Sequence, residues 1–231
     1  MGKRLEYDEG QAAGRLRVTR SAFRWAVHTG AVPAPDAGPG LWSRAAVEAM
    51  DADAIRAGLP EDPLSGRGAA DVLAQALGTP NPSWGAGPAV VTAFAVREMV
   101  KAGFLTDLSG DPAQPALHPD QVAALAAHPD LARLLAQAVP IGPDQAAQRL
   151  GVRRCDFDHL VRLGWVRHAQ EVKVKFGAAR GGTVWVPLYR ADHIDRVPLV
   201  HPEVDWPALR ALGKGQRSPL ARLAVSARGT R

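Results

Sequence analysis

One short pattern of residue types occurs twice in this chain with the same spacing. A repeat of this kind constrains the fold more than composition can, because one small module must serve at both places. The first copy runs Gln11-Ala12-Ala13, Leu16, Val18, Phe23, Ala26-Val27, Gly30; the second runs Gln145-Ala146-Ala147, Leu150, Val152, Phe157, Leu160-Val161, Gly164. In each, the paired alanines and the leucine fall on one face of a short helix. The valine then plugs a turn. The phenylalanine and the apolar pair after it form the inner face of a second helix, at i, i+3 and i+4. Glycine follows where a helix end favours a left-handed residue. Two short helices crossing steeply through a tight turn form either a DNA-reading helix-turn-helix or an ordinary helical hairpin.

The segments after each pair favour the DNA-reading form. Val32 to Trp42 is a short Pro/Gly-rich excursion, and Ser43 is placed to cap a helix carrying Ala46, Val47 and Met50. The second excursion is longer. Val166, Val172, Val174 and Phe176 alternate with polar residues, Gly177 to Gly182 forms a tip, and Thr183-Val184-Trp185-Val186 returns toward Tyr189 and a further helix. The order helix, turn, helix, hairpin, helix predicts a winged helix. The expected fold class is mainly α with small β-hairpin wings, built as tandem winged helix-turn-helix modules.

On these residues both copies resemble the winged helix-turn-helix of the MerR superfamily, including its excisionase-like and BldC-like relatives. The resemblance rests on the Ala-Ala first helix, the turn valine, the glycine exit and the aromatic before the post-wing helix (Trp42 and Tyr189). It implies that the second helix enters the major groove and that the wing reaches phosphates or the minor groove. Carried over, Thr19, Arg20 and Arg24 face DNA in the first copy, and Arg153 and Arg154 in the second. The second copy departs from the pattern at Asp158, which stands where the first has Arg24. The chain shows no counterpart of the long dimerisation helix and effector domain of typical MerR regulators.

Between the copies lies a weaker echo. Ala69-Ala70, Leu73 and Leu77-Gly78 suit a first helix; Met99 to Leu105 suits the end of a second; Leu117 to Leu125 suits a post-wing helix. The breaker-rich run Thr79 to Pro88 stands where a tight turn belongs. A degenerate copy and an unrelated helical domain both fit. His128-Pro129-Asp130 and His201-Pro202-Glu203 then recur as helix starts, with the histidines read as cap residues rather than metal ligands.

Charge separates the modules. Residues 1–60 hold 8 Lys/Arg against 7 Asp/Glu, residues 61–140 hold 4 against 8, and residues 141–231 hold 16 against 8. Phosphate binding needs a basic footprint, which falls on the last third, with Lys173, Lys175 and Arg180 on its wing. The acidic middle is read as a spacer and protein-contact surface. The expected domains are therefore an N-terminal winged helix (1–60), an acidic module (61–140), a basic winged helix (141–212) and a basic flexible tail (213–231). The single cysteine rules out an intramolecular disulfide and suits a reducing cytoplasm. The charged start predicts no secretory leader, and no apolar run is long enough for a membrane span.

Catalytic and cofactor patterns are missing: there is no phosphate loop with a lysine and no HExxH. Cys155 and His159 have an i, i+4 spacing that suits metal, with His168 nearest as a third ligand, but two ligands do not make a tetrahedral zinc site. The reading is a non-enzymatic, sequence-specific binder of double-stranded DNA, without metal or cofactor, of the bacterial, phage or plasmid regulator type. An excisionase-like architectural protein and a protein-interaction adaptor are the alternatives. Two unlike recognition helices on one chain predict two separated half-sites of different sequence.

Overall fold

The computed structural model describes residues 5–83, 89–175 and 182–223, and they fall into two compact units, Met1–Ala132 and Arg133–Arg231. Among them are twelve α-helices and three two-stranded antiparallel sheets. The division between the two units falls at 132/133.

The first unit opens with β1 (Glu6–Asp8), α1 (Glu9–Leu16), α2 (Arg20–Thr29), β2 (Leu41–Ser43), α3 (Arg44–Ala49) and α4 (Ala52–Ala57). Asp8 starts α1 through a capping box. Its carboxylate accepts from the Gln11 amide at 2.8 Å, and the Gln11 side chain accepts from the Asp8 amide at 3.2 Å. The helix ends at Arg17, which takes a left-handed φ of 54° and lets the Val18 amide donate to the Ala13 carbonyl at 3.0 Å. β1 pairs antiparallel with β2, setting Tyr7 opposite Trp42.

The same order recurs immediately. β3 (Leu64–Ser65), α5 (Gly66–Ala76), α6 (Ala93–Lys101), β4 (Ala116–Leu117) and α7 (Pro119–Ala126) follow, with Leu64 opposite Leu117. Gly78 takes the place of Arg17, and the Thr79 amide donates to the Ala74 carbonyl at 3.2 Å. The long insertion before α6 is closed by one side chain. The Asn81 amide nitrogen donates to Asp71 and to the Val91 carbonyl, both at 2.8 Å, while its oxygen accepts from the Val90 and Val91 amides at 2.7 and 3.0 Å. This clasp returns the chain to Thr92, which caps α6.

α8 (Leu131–Ala138) carries the chain across the division. The second unit continues with α9 (Pro143–Leu150), α10 (Arg154–Arg162), β5 (Gln170–Lys175), β6 (Thr183–Leu188), α11 (Ala191–Val200), α12 (Trp206–Arg210) and a 3-10 turn at Pro219–Arg222. Gly151 provides the left-handed turn, and the Val152 amide donates to the Ala147 carbonyl at 3.0 Å. The pairing of β1 with β2 is reduced here to a bridge, Ile141 with Tyr189, closed by two 2.9 Å hydrogen bonds. β5 and β6 form the long hairpin.

The cores follow the repeat. Phe23 meets Trp42 edge-on at 5.2 Å and 87°; Phe157 meets Tyr189 edge-on at 5.1 Å and 89°. At the corresponding places in the middle copy stand Val96 and Leu117, both fully buried. The alanine pairs Ala12-Ala13, Ala69-Ala70 and Ala146-Ala147 are buried too, which lets the first two helices of each copy approach closely.

The tail differs from expectation. Gly213 to Leu223 packs on α10, with Leu220 in the core and four of its carbonyls held by arginines. Residues 224–231 lie outside the described residues. The apolar residues Leu220, Ala221 and Leu223 are the sequence sign of order here, and backbone carbonyls held by arginines make most of the remaining contact.

Truncating Phe157 to Ala should cost about 3–5 kcal/mol in urea unfolding, as for other buried phenylalanines. A double-mutant cycle with Tyr189→Ala should return a coupling of about 0.5–1.5 kcal/mol for the edge-to-face pair. Additive losses would show that the ring geometry contributes nothing beyond burial.

Candidate nucleic-acid interface

The outward face of α2 carries Ser21, Arg24, Trp25 and His28 at i, i+3, i+4 and i+7. In the first unit all four are engaged by the middle repeat. Ser21 Oγ and an Arg24 guanidinium nitrogen donate to the Leu108 carbonyl at 3.2 and 2.9 Å. The Trp25 ring lies 4.2 Å from that of His118, and His28 Nε2 is 3.1 Å from Thr106 Oγ1. Arg24 also pairs with Glu9 at 2.7 Å. Gly110 permits this docking: its φ is 76°, and a Cβ there would collide with the Arg24 guanidinium.

Arg24, expected in the major groove, is therefore part of a protein joint. Sequence could not reveal this, because its main partner is a backbone carbonyl far along the chain. Thr19 is exposed and caps α2, accepting from the Ala22 amide at 3.1 Å. Arg20 is exposed and lies over Gly10 of α1. His118, buried, accepts from the Asp120 amide through Nδ1 at 3.1 Å and reaches the Gly58 carbonyl through Nε2 at 2.9 Å.

On α10 the expected arginines also have internal partners. Arg153 precedes the helix and makes two hydrogen bonds to the fully buried Asp156, at 2.6 and 2.9 Å, and two to the Gly213 and Gln216 carbonyls, at 2.6 and 2.9 Å. Burial, the largest single influence, would raise the Asp156 pKa; the Arg153 guanidinium and the Ser218 side chain together hold the carboxyl below its ordinary range. Arg154 is exposed and sits 3.3 Å from Asp144 and 3.2 Å from Asp158. The start of the helix is thus close to electrically balanced. Arg153 acts as a tail clamp, and Arg154 remains reachable from solvent.

The hairpin has two unlike faces. Val172, Val174 and Val186 share one; Lys173 and Trp185 stand opposite each other on the other. Lys173 is exposed, Trp185 is 60 % exposed, and the ammonium lies 5.8 Å from the indole centroid. Lys175 pairs with Thr183 in the same register. Arg180 and the side chain of Lys175 lie outside the described residues. Trp185 is a candidate contact that the sequence reading passed over. Its signal was the alternation of the hairpin, which places it beside Lys173 once the strands are paired.

Among the described residues no three His, Cys, Asp or Glu side chains converge on a point that could hold a metal, and Cys155 is exposed on α10. No described helix is long and apolar enough to cross a membrane. No protein-family model, no curated protein and no solved structure matches the chain.

Two outcomes follow from these contacts. Arg24→Ala leaves the Leu108 carbonyl and Glu9 without their cation, so the first unit should lose about 1.5–3 kcal/mol in denaturant unfolding. Gly110→Ala should weaken the same joint, and opening there should speed amide exchange around Leu108 in both variants. The depressed Asp156 pKa gives stability that is complete above the unfolded carboxylate pKa, about 3.9, and is lost as pH falls below it through the folded value. Wild type minus Asp156→Asn, measured by urea midpoint between pH 6 and pH 3, should shrink as acid is added; a constant difference would rule out this linkage.

Proposed function

We propose that the chain is a non-enzymatic, sequence-specific binder of double-stranded DNA, a compact transcriptional regulator of the bacterial, phage or plasmid kind that works in the cytoplasm. In this reading each repeat is a winged helix-turn-helix of the MerR-like type. The second unit is the DNA reader, with α10 entering the major groove and the β5–β6 hairpin on the backbone or minor groove. The observation that carries the proposal is the wing face, where an exposed lysine stands beside an exposed tryptophan on a hairpin next to a two-helix unit. A cation beside an exposed aromatic suits phosphate and sugar contact.

The first repeat has a different part. Its α2 face is occupied by the acidic middle repeat, so the proposal assigns one reader to each chain rather than two. Footprinting with the full chain should then protect one continuous stretch, not two separated half-sites.

Counterion release gives the quantitative test. Log affinity falls with log salt by about 0.9 for each phosphate neutralised. Replacing Lys173, Lys175 and Arg180 together with Ala should flatten that slope by about two to three units and weaken all sequences alike. An unchanged slope in a folded triple variant removes the wing from the interface.

A second reading has an observation of its own. The α2 face already serves protein contact within this chain, and an adaptor would use the remaining helix faces in the same way. Such a protein would show no salt-dependent affinity for duplex DNA.

A further inference from the structure

The arginines of the second unit divide into two groups. Arg149 is matched to Asp195 across α9 and α11, Arg190 to Asp192, Arg153 to Asp156, and Arg154 to Asp144 and Asp158. Arg162 is bound to the carbonyls of Leu220 and Leu223, and Arg210 to that of Leu150. Arg167 and Arg196, like Arg217 and Arg222 of the tail, are exposed and have no hydrogen bond or ion pair among the described residues.

Arg167 and Arg196 line one cleft of about 450 Å³, formed where the chain leaves α10 and passes α11. His193 lines it as well, and the buried Val166 and Val197 contribute to its wall. Trp165 adds a flat apolar wall, fixed by stacking on His201 at 3.8 Å. No carboxylate lines the cleft. The two acids of α11 nearest in sequence, Asp192 and Asp195, are engaged by Arg190 and Arg149. The helix thereby keeps its anions on other partners and leaves Arg196 unopposed, with His193 beside Asp192.

We infer that this cleft binds a phosphate group, gripped by Arg167 and Arg196 with His193 as a third donor. Guanidinium donors match phosphate oxygens in a fork geometry and hold them more strongly than neutral donors do. The group can come from two sources with one chemistry: a backbone phosphodiester of DNA or a free phosphorylated small molecule. Lys173 does not line the cleft, so the cleft can be tested apart from the DNA reading.

The probe is inorganic pyrophosphate, titrated into the full-length protein at constant ionic strength and followed by 31P line broadening and thermal shift. Wild type should show saturable binding. Arg167→Ala and Arg196→Ala should each weaken it by about tenfold or more, Arg167→Lys should recover part of it, and the wing triple variant should retain it. The source is then read with duplex DNA. If Arg167→Ala/Arg196→Ala also flattens the salt slope by about two units, the phosphate belongs to the DNA backbone. If pyrophosphate binding is lost and DNA binding is unchanged or absent, the phosphate belongs to a small molecule. Pyrophosphate binding that is missing in wild type, or equal in wild type and the folded double-alanine variant, overturns the inference.

Discussion

The contact between the second helix and the residue just before the next helix is what the rest of each repeat depends on, and in two of the three copies it is made by aromatic rings. Phe23 on Trp42 and Phe157 on Tyr189 meet at nearly the same distance and nearly perpendicular. A ring edge against a ring face is favourable because the positive edge meets the negative face. It also ties the helix pair to the strand that launches the next helix, so three elements are fixed by one contact. The neighbouring alanines add no bulk that would hold the helices apart. Val96 and Leu117 occupy the same places in the middle copy. That copy keeps the element order with burial alone, without the orientational preference that rings impose.

With the scaffold held in this way, function depends on which faces remain open. The three copies resolve this differently. In the first, the second-helix face is covered by the middle repeat through Leu108, Thr106 and His118. In the last, carboxylates on α9 and α10 balance the helix arginines, and the tail takes up Arg153 and Arg162. Positive charge that is free to meet an anion is thereby moved away from the start of α10. Among the described residues it remains at Lys173 on the hairpin, at Arg167 and Arg196 in the cleft, and at Lys214, Arg217 and Arg222 on the tail. Net charge counted along the chain does not tell which cations are available, since most of the described arginines of the last third have partners. An ion pair already satisfied in the protein must be broken before a phosphate can use its cation, which lowers the gain from binding.

Much of the architecture was legible because it is local. The helices of the repeats, their glycine exits and the hairpin at Lys173 and Trp185 follow from apolar spacing and from residues with special backbone freedom. The tight turn after α1 was legible through Val18, although Arg17 supplies the left-handed residue where the other copies use glycine. What stayed hidden was non-local. The strand β1 ahead of α1 is three residues long and exists only through pairing with β2. The Asn81 clasp turns a run of helix breakers into a closed insertion, which is why Thr79 to Pro88 argued against a third copy. The docking of Arg24 and much of the contact made by Gly213 to Leu223 rest on backbone carbonyls, which every sequence contains and none advertises.

The unequal use of equal modules has a physical reason. A steep helix pair capped by a strand leaves one amphipathic helix face exposed, and that face must meet water, protein or nucleic acid. On α2 it carries Trp25 among polar neighbours, and an indole gains more from a protein partner than from water. The middle repeat provides that partner at high effective concentration, being joined to α2 in the same unit. On α10 the corresponding positions are Cys155, Asp158, His159 and Arg162, which carry no large apolar group, and Arg162 is taken up by the tail. Its cover is the short tail, held by carbonyls rather than by a ring, and the large exposed ring among the described residues of this unit is Trp185 on the hairpin. In unit one the large ring lies on the helix, half-buried against the middle repeat; in unit two it lies on the hairpin, exposed beside a cation.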